Sequence, residues 1–264
     1  MNIVENCKYL KLPYVSKNYQ EAVIEAKQTK KGYDVFLNDL LDEEALARQD
    51  RRVQKLIKSA RFPQKKYLED FSRDGYGKSL TDEFAILDNL TFIDRKENVI
   101  LIGTPGSGKT HYAIGLGMRA CLRGKTVLFT SVPNLVIELR EALTQNTLNA
   151  YKRKFEQYDL VILDELGYVS FDKAACEVLF NLLSNRTNKG AIIITTNLSF
   201  DRWEEIFKDP MLTGAIVDRL AYKAHVLDMT CDTSHRFTET AEWRNEQMKL
   251  LDEPEKMAAN SSQD

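Results

Sequence analysis

An apolar run, NVILI (98–102), leads directly into GTPGSGKTH (103–111). No other stretch constrains the fold as much. Gly103, Gly108, Lys109 and Thr110 satisfy G-x-x-x-x-G-K-[ST], the phosphate-binding loop between a buried strand and a helix. The chemistry needs these residue types. Glycines let backbone N–H groups curl around phosphate oxygens, and the following helix points its N-terminus at the same anion. Lys109 places a cation on the β- and γ-phosphates, and the Thr110 hydroxyl is a ligand for Mg²⁺. The expected ATP contacts therefore run along the whole loop: Gly103, Thr104, Pro105, Gly106, Ser107, Gly108, Lys109, Thr110 and His111.

Such a loop belongs in a parallel sheet, and four further apolar runs supply the strands. KTVLFT (125–130), DLVILD (159–164), AIIITT (191–196) and AHVLDM (224–229) show little alternation, as strands buried on both faces do. The segments between them are long enough for crossover helices. The expected fold is α/β, with a five-stranded parallel sheet and flanking helices.

Two of the runs end in polar residues where ligands bind in such sheets. Asp164 closes the third run, well placed to hold Mg²⁺, and Glu165 follows, placed to orient and activate a water. Asn197 closes the fourth run and would abut the γ-phosphate. It also reads as a turn-initiating residue at a helix start. A P-loop small-molecule kinase would need an arginine-bearing lid and would not need Asp164 and Glu165 together with Asn197.

Residues 1–70 read differently, as a small, polar, all-helical domain preceding an ATPase domain over 71–250 and a polar tail over 251–264. Within it RQDRRVQKLIKSARFPQKK (48–66) holds eight basic residues and one acid, in a chain of formal charge −2. Arg48, Arg51, Arg52 and Lys55 recur at helical spacing opposite Val53, Leu56 and Ile57. With Lys58 and Arg61 they form a basic stripe suited to phosphates of duplex DNA, with salt-sensitive and largely sequence-independent affinity. A solvated face, or one that pairs with acids of a neighbouring subunit, is the other reading. Residues 64–79, with Gly75 and Gly77, read as a linker.

No apolar run reaches the roughly 18 residues of a membrane span, and the N-terminus shows no secretory h-region, so a cytoplasmic location is expected. Four widely spaced cysteines, Cys7, Cys121, Cys176 and Cys231, read as reduced core residues.

Taken in order, these motifs resemble the AAA+ ATPases. More closely they resemble the IstB family, helper ATPases of bacterial insertion sequences related to the helicase loader DnaC and the initiator DnaA. The likeness is carried by LKLPYV (10–15), KSARFPQKKYLEDF (58–71), the P-loop region (92–130), YDLVILDELGYVSFD (158–172) and IIITTNLSFDRW (192–203). It implies Walker A roles for Lys109 and Thr110, Walker B roles for Asp164 and Glu165, and a sensor role for Asn197. It further implies that Arg219, in VDRLAY, is an arginine finger reaching the ATP of a neighbouring subunit. Arg236 would be a second sensor, with His235 in place of the family's tyrosine. The lid would be minimal or absent, since about 33 residues follow the fifth strand. The implied function is an ATP- and Mg²⁺-dependent regulator of transposition. It would assemble with itself on duplex DNA in the bacterial nucleoid and supply target DNA to a transposase encoded alongside. A DnaC-like loader of a replicative helicase is the alternative.

Overall fold

The computed structural model describes residues 2–167, 173–186 and 188–230. The chain divides into two compact units, Met1–Lys58 and Ser59–Asp264. The division falls before residue 70, because residues 59–70 pack with the second unit.

The first unit is helical: α1 (Ile3–Tyr9), α2 (Pro13–Thr29) and α3 (Tyr33–Ser59). It buries little apolar surface. Cys7 and Val15 are inside, whereas Ile24, Leu37, Leu41 and Leu46 stay about half exposed. Its central feature is polar instead. Pro13 opens α2 at a position where a missing N–H is tolerated, but Leu12 before it offers no capping side chain. Glu44 of α3, only 3% exposed, fills that role. Its Oε2 accepts from the N–H groups of Tyr14 at 2.7 Å and Val15 at 3.2 Å, so a carboxylate sits on the positive end of α2. Arg51 donates to the other oxygen at 2.8 Å.

The second unit alternates strands and helices. It runs α4 (Lys78–Leu87), α5 (Thr91–Arg95), β1 (Asn98–Ile102), α6 (Lys109–Leu122), β2 (Val127–Ser131), α7 (Val132–Thr144), α8 (Leu148–Glu156), β3 (Leu160–Leu166), α9 (Lys173–Arg186), β4 (Ala191–Thr196), α10 (Glu204–Phe207), α11 (Pro210–Ala221) and β5 (Ala224–Asp228). The sheet order is β2-β3-β4-β1-β5, and every pairing is parallel. Every residue of β4 is buried, as its unbroken apolar run requires. The five expected strands all form. The lid expectation, Arg236 and Cys231 fall outside the described residues; Cys7, Cys121 and Cys176 are buried thiols, not joined in disulfides among the described residues. Burial pushes the Cys121 thiol up to about 12, which keeps it protonated and unreactive at neutral pH.

Two local features position the site. The first is a β-bulge. Leu163 pairs with Ile194 and Leu166 with Thr196, so Asp164 and Glu165 of β3 face the single residue Thr195 of β4. The second is a packed strap, residues 60–76, which takes in most of the 64–79 segment read as a linker. The Ala60 carbonyl accepts from Phe129 N–H on edge strand β2 at 2.8 Å. Phe62 and Leu68 then press on α6 at Gly117 and Gly115, where a Cβ would lie 2.8 and 2.7 Å from their side chains. Only glycine permits so close an approach.

At the opposite end of the sheet Arg186 is fully buried. It donates to the carbonyls of Phe155 at 2.7 Å, Tyr158 at 2.6 Å and Ala191 at 3.1 Å, which ties α8 to the starts of β3 and β4. Burial lowers its pKa to about 10, so it remains cationic at neutral pH. Arg186→Met keeps the apolar stem but strands three carbonyls, at about 1–3 kcal/mol each when buried. The expected loss of stability is about 3–5 kcal/mol, read from urea denaturation. A loss under about 1 kcal/mol would show that water satisfies these carbonyls instead.

Candidate nucleotide site

The P-loop crosses from β1 to α6, and Gly108 caps α6 with φ +82°, a conformation costly for any side chain. A cavity of about 250 Å³ opens on it. It is lined on one side by Pro105, Gly106, Gly108, Lys109, Thr110 and His111, and on the other by Glu165, Thr195, Thr196 and Asn197. Lys109 arches over the loop, its Nζ donating to the carbonyls of Gly103 at 2.8 Å and Thr104 at 2.7 Å and to Ser107 Oγ at 3.3 Å. Phosphate oxygens offer the same ammonium a stronger, charge-assisted acceptor. His111 turns away from the loop, with Nε2 3.2 Å from the Tyr67 carbonyl and its ring edge-on to Phe71.

Thr110 and Asp164 meet beneath this cavity. The threonine hydroxyl donates to Asp164 Oδ1 at 2.9 Å, and the carboxylate is 5% exposed. Both hydrogen bonds to Asp164 fall on Oδ1, and no described residue donates to Oδ2. A hydroxyl beside a carboxylate with one oxygen uncommitted is a hard-oxygen donor set that fits Mg²⁺. Bound there, the metal would neutralise developing phosphate charge as a Lewis acid.

Glu165 is exposed and has φ +65°, unusual for a residue with a Cβ. Asn197 keeps a buried amide oxygen that finds no hydrogen-bond donor among the described residues. Buried unsatisfied polar atoms are rare, and one at the rim of a ligand cavity marks a place where a water or substrate donates. Lys109, Thr110, Asp164, Glu165 and Asn197 are thus brought together.

Arg219 is not among them. It sits on the last turn of α11 with its guanidinium 5.3 Å from the Phe180 ring centre. It lines a small cleft with Lys96, Asn98, Gly190 and Lys223, at the N-terminal ends of β1, β4 and β5. The P-loop lies at their C-terminal ends.

The sequence reading missed one wall of the cavity, formed by Gln64, Lys66, Asp70, Phe71 and Ser72 of the strap. Phe71 and Tyr76 pack against Gly108, and the Tyr76 hydroxyl donates to the Ser107 carbonyl. A signal existed. Residues 62–76 carry Phe62, Tyr67, Phe71 and Tyr76, too many aromatics for a solvated linker.

The six cations expected on DNA do not form one set. Lys11, Arg48, Arg51, Arg52 and Lys55 line an open concavity of about 440 Å³ in the first unit. Arg51 is tied to Glu44, and Arg48 donates to the Lys11 carbonyl at 2.7 Å. Arg52, Lys55 and Lys58 are exposed on α3, with no ion pair to any described residue. Arg61 belongs to the second unit, bound to Glu138 at 2.7 Å.

No described helix is long and apolar enough to cross a membrane. The profile of the IstB-like ATP binding protein family matches residues 5–242. A relative named as the ATP-binding protein of insertion sequence IS5376 of Geobacillus stearothermophilus is 36% identical over 229 residues, 86% of this chain and 90% of that one. Its counterpart from IS21 of Pseudomonas aeruginosa is 35% identical over 83% of each chain. Among solved structures, DnaI superposes with a TM-score of 0.53 at 19% identity, over 69% of this chain and 93% of that one. AMPPCP-bound DnaA from Aquifex aeolicus gives 0.56 at 19% identity, over 70% of this chain but only 55% of that one. At such identities the likeness is one of fold. With its P-loop and paired acids on a five-stranded parallel sheet, this chain belongs to the IstB-like ATP binding protein family.

Proposed function

We propose that the chain is the ATP-hydrolysing helper of an insertion sequence. It binds ATP with Mg²⁺, assembles with copies of itself on duplex DNA, hydrolyses ATP between subunits and supplies target DNA to the transposase encoded with it. The observation that carries the reading is that Lys109, Thr110 and Glu165 line one cavity and that Thr110 is hydrogen-bonded to Asp164 beside it. Lys109 holds phosphate, Thr110 and Asp164 offer oxygen ligands, and Glu165 takes a proton from the attacking water. Asn197 orients that water, and Arg236 is assigned the second sensor by family likeness alone. The names of the relatives, ATP-binding proteins of insertion sequences, support the transposition context. The likeness to DnaI, at 19% identity, carries no assignment to a helicase.

The proposed DNA contacts are made by only part of the basic stripe. Arg48 and Arg51 hold the first unit together, so Arg52, Lys55 and Lys58 are the residues free to bind phosphates. The test compares wild type with the triple variant Arg52→Glu, Lys55→Glu, Lys58→Glu in duplex binding across a salt series and in ATPase assays with and without duplex. The wild type is expected to bind duplex and to hydrolyse faster in its presence. Removing three phosphate contacts should lower the slope of log affinity against log salt by about 2–3 and leave ATP affinity unchanged. Equal duplex affinity in the variant would reject this face as the DNA grip, and a wild-type ATPase indifferent to duplex would reject the coupling.

A further inference from the structure

We propose that Thr195 is a positioning residue which sets both acids of the site through one hydroxyl. The inference rests on the reading of Asp164 as metal ligand and Glu165 as base. The bulge places both acids opposite this one residue. Thr195 is 2% exposed, so its hydroxyl needs partners within the protein. A hydroxyl has one proton to donate and lone pairs to accept. Here the proton goes to Asp164 Oδ1 at 2.6 Å, and a lone pair accepts the backbone N–H of Glu165 at 3.0 Å.

Each bond has a separate consequence. Donation to Oδ1, alongside that from Thr110, fixes the plane of the Asp164 carboxylate and leaves Oδ2 for the cation. Acceptance from Glu165 N–H holds that residue at φ +65°, against the preference of a side chain with a Cβ for negative φ. Without the anchor the peptide is free to relax toward an extended conformation, and the Glu165 carboxylate moves with it. Thr195 touches neither acid's free oxygen, and so acts through the two residues it holds. A threonine present only to fill the strand would be replaced by valine without consequence, since valine has its shape and favours β-structure.

Wild type, Thr195→Val and Thr195→Ser are compared in three measurements: ATP hydrolysis kinetics, affinity for a fluorescent non-hydrolysable ATP analogue across a Mg²⁺ series, and the melting temperature of the free protein. Thr195→Val is expected to lower kcat about 10–100-fold, the scale of a misplacement near 1 Å, with KM within about threefold. Its Mg²⁺ midpoint should rise several-fold while metal-free affinity for the analogue stays at the wild-type value. Thr195→Ser, which keeps the hydroxyl, should restore both. A valine variant with wild-type kcat and Mg²⁺ midpoint overturns the proposal. So does a serine variant as impaired as the valine one, because the hydroxyl is then not the agent. If the wild type binds the analogue but does not hydrolyse ATP, the hydrolysis reading fails, and an unchanged Mg²⁺ midpoint in Thr195→Val would still overturn the role at Asp164.

Discussion

Glu165→Gln should bind ATP within about threefold of wild type and turn it over about 10²–10⁴-fold more slowly, the range for loss of a positioned general base. The expectation follows from how the residue is held. Its place on the bulge is set by the backbone, through the N–H bond to Thr195, and not by its side chain. Exchanging carboxylate for carboxamide therefore leaves the geometry intact and removes only the proton acceptor. Asp164, which is buried and engaged by two hydroxyls, keeps its place. Affinity for the ATP analogue and single-turnover hydrolysis separate binding from chemistry. The two assays together should show a protein that holds ATP without consuming it. Hydrolysis within threefold of wild type would mean that another group takes the proton, and the assignment of Glu165 would be withdrawn.

The sheet and the loop were legible because their signals are local. A strand buried on both faces must be apolar along its length, and a phosphate cradle must have glycines at fixed spacing beside a lysine. What was not legible depends on partners distant in the chain. The two-for-one pairing of Asp164 and Glu165 with Thr195 exists only once β3 lies beside β4, 30 residues on, and AIIITT alone gives no sign that its first threonine carries the site. The strap was hidden for a similar reason. Gly75 and Gly77 gave 64–79 the composition of a linker, whereas its packing is decided by Gly108 and Gly115 elsewhere in the chain. On α3 the helical period correctly grouped four cations. It could not show that a buried glutamate of the same helix and a carbonyl at Lys11 would occupy two of them.

The same dependence on partners governs Arg219, whose expected effect is as large as that of Glu165. It stands at the N-terminal ends of β1, β4 and β5, with the P-loop at the C-terminal ends. A five-residue strand such as β1 separates the two by roughly 16 Å. No rotamer of Arg219 spans that distance, so any contribution to ATP hydrolysis must be made to a neighbouring copy, in a head-to-tail contact. Lys96 and Lys223 share its cleft, and no acid lines it among the described residues, so this face suits an approach to phosphates. Arg219→Ala should bind ATP normally and lose about 10³-fold or more in turnover, the scale of a finger supplied in trans. A mixing experiment isolates the direction of the contact. Glu165→Gln subunits have a dead site and an intact finger, and Arg219→Ala subunits have the reverse. Each alone should be nearly inactive. Mixed in equal amounts they should recover about a quarter of the wild-type rate, the share of neighbouring pairs that join a live site to a live finger under random head-to-tail stacking. No recovery, with both variants still binding ATP and assembling, would place the missing function of Arg219 within its own subunit, and full activity of Arg219→Ala alone would remove the finger altogether.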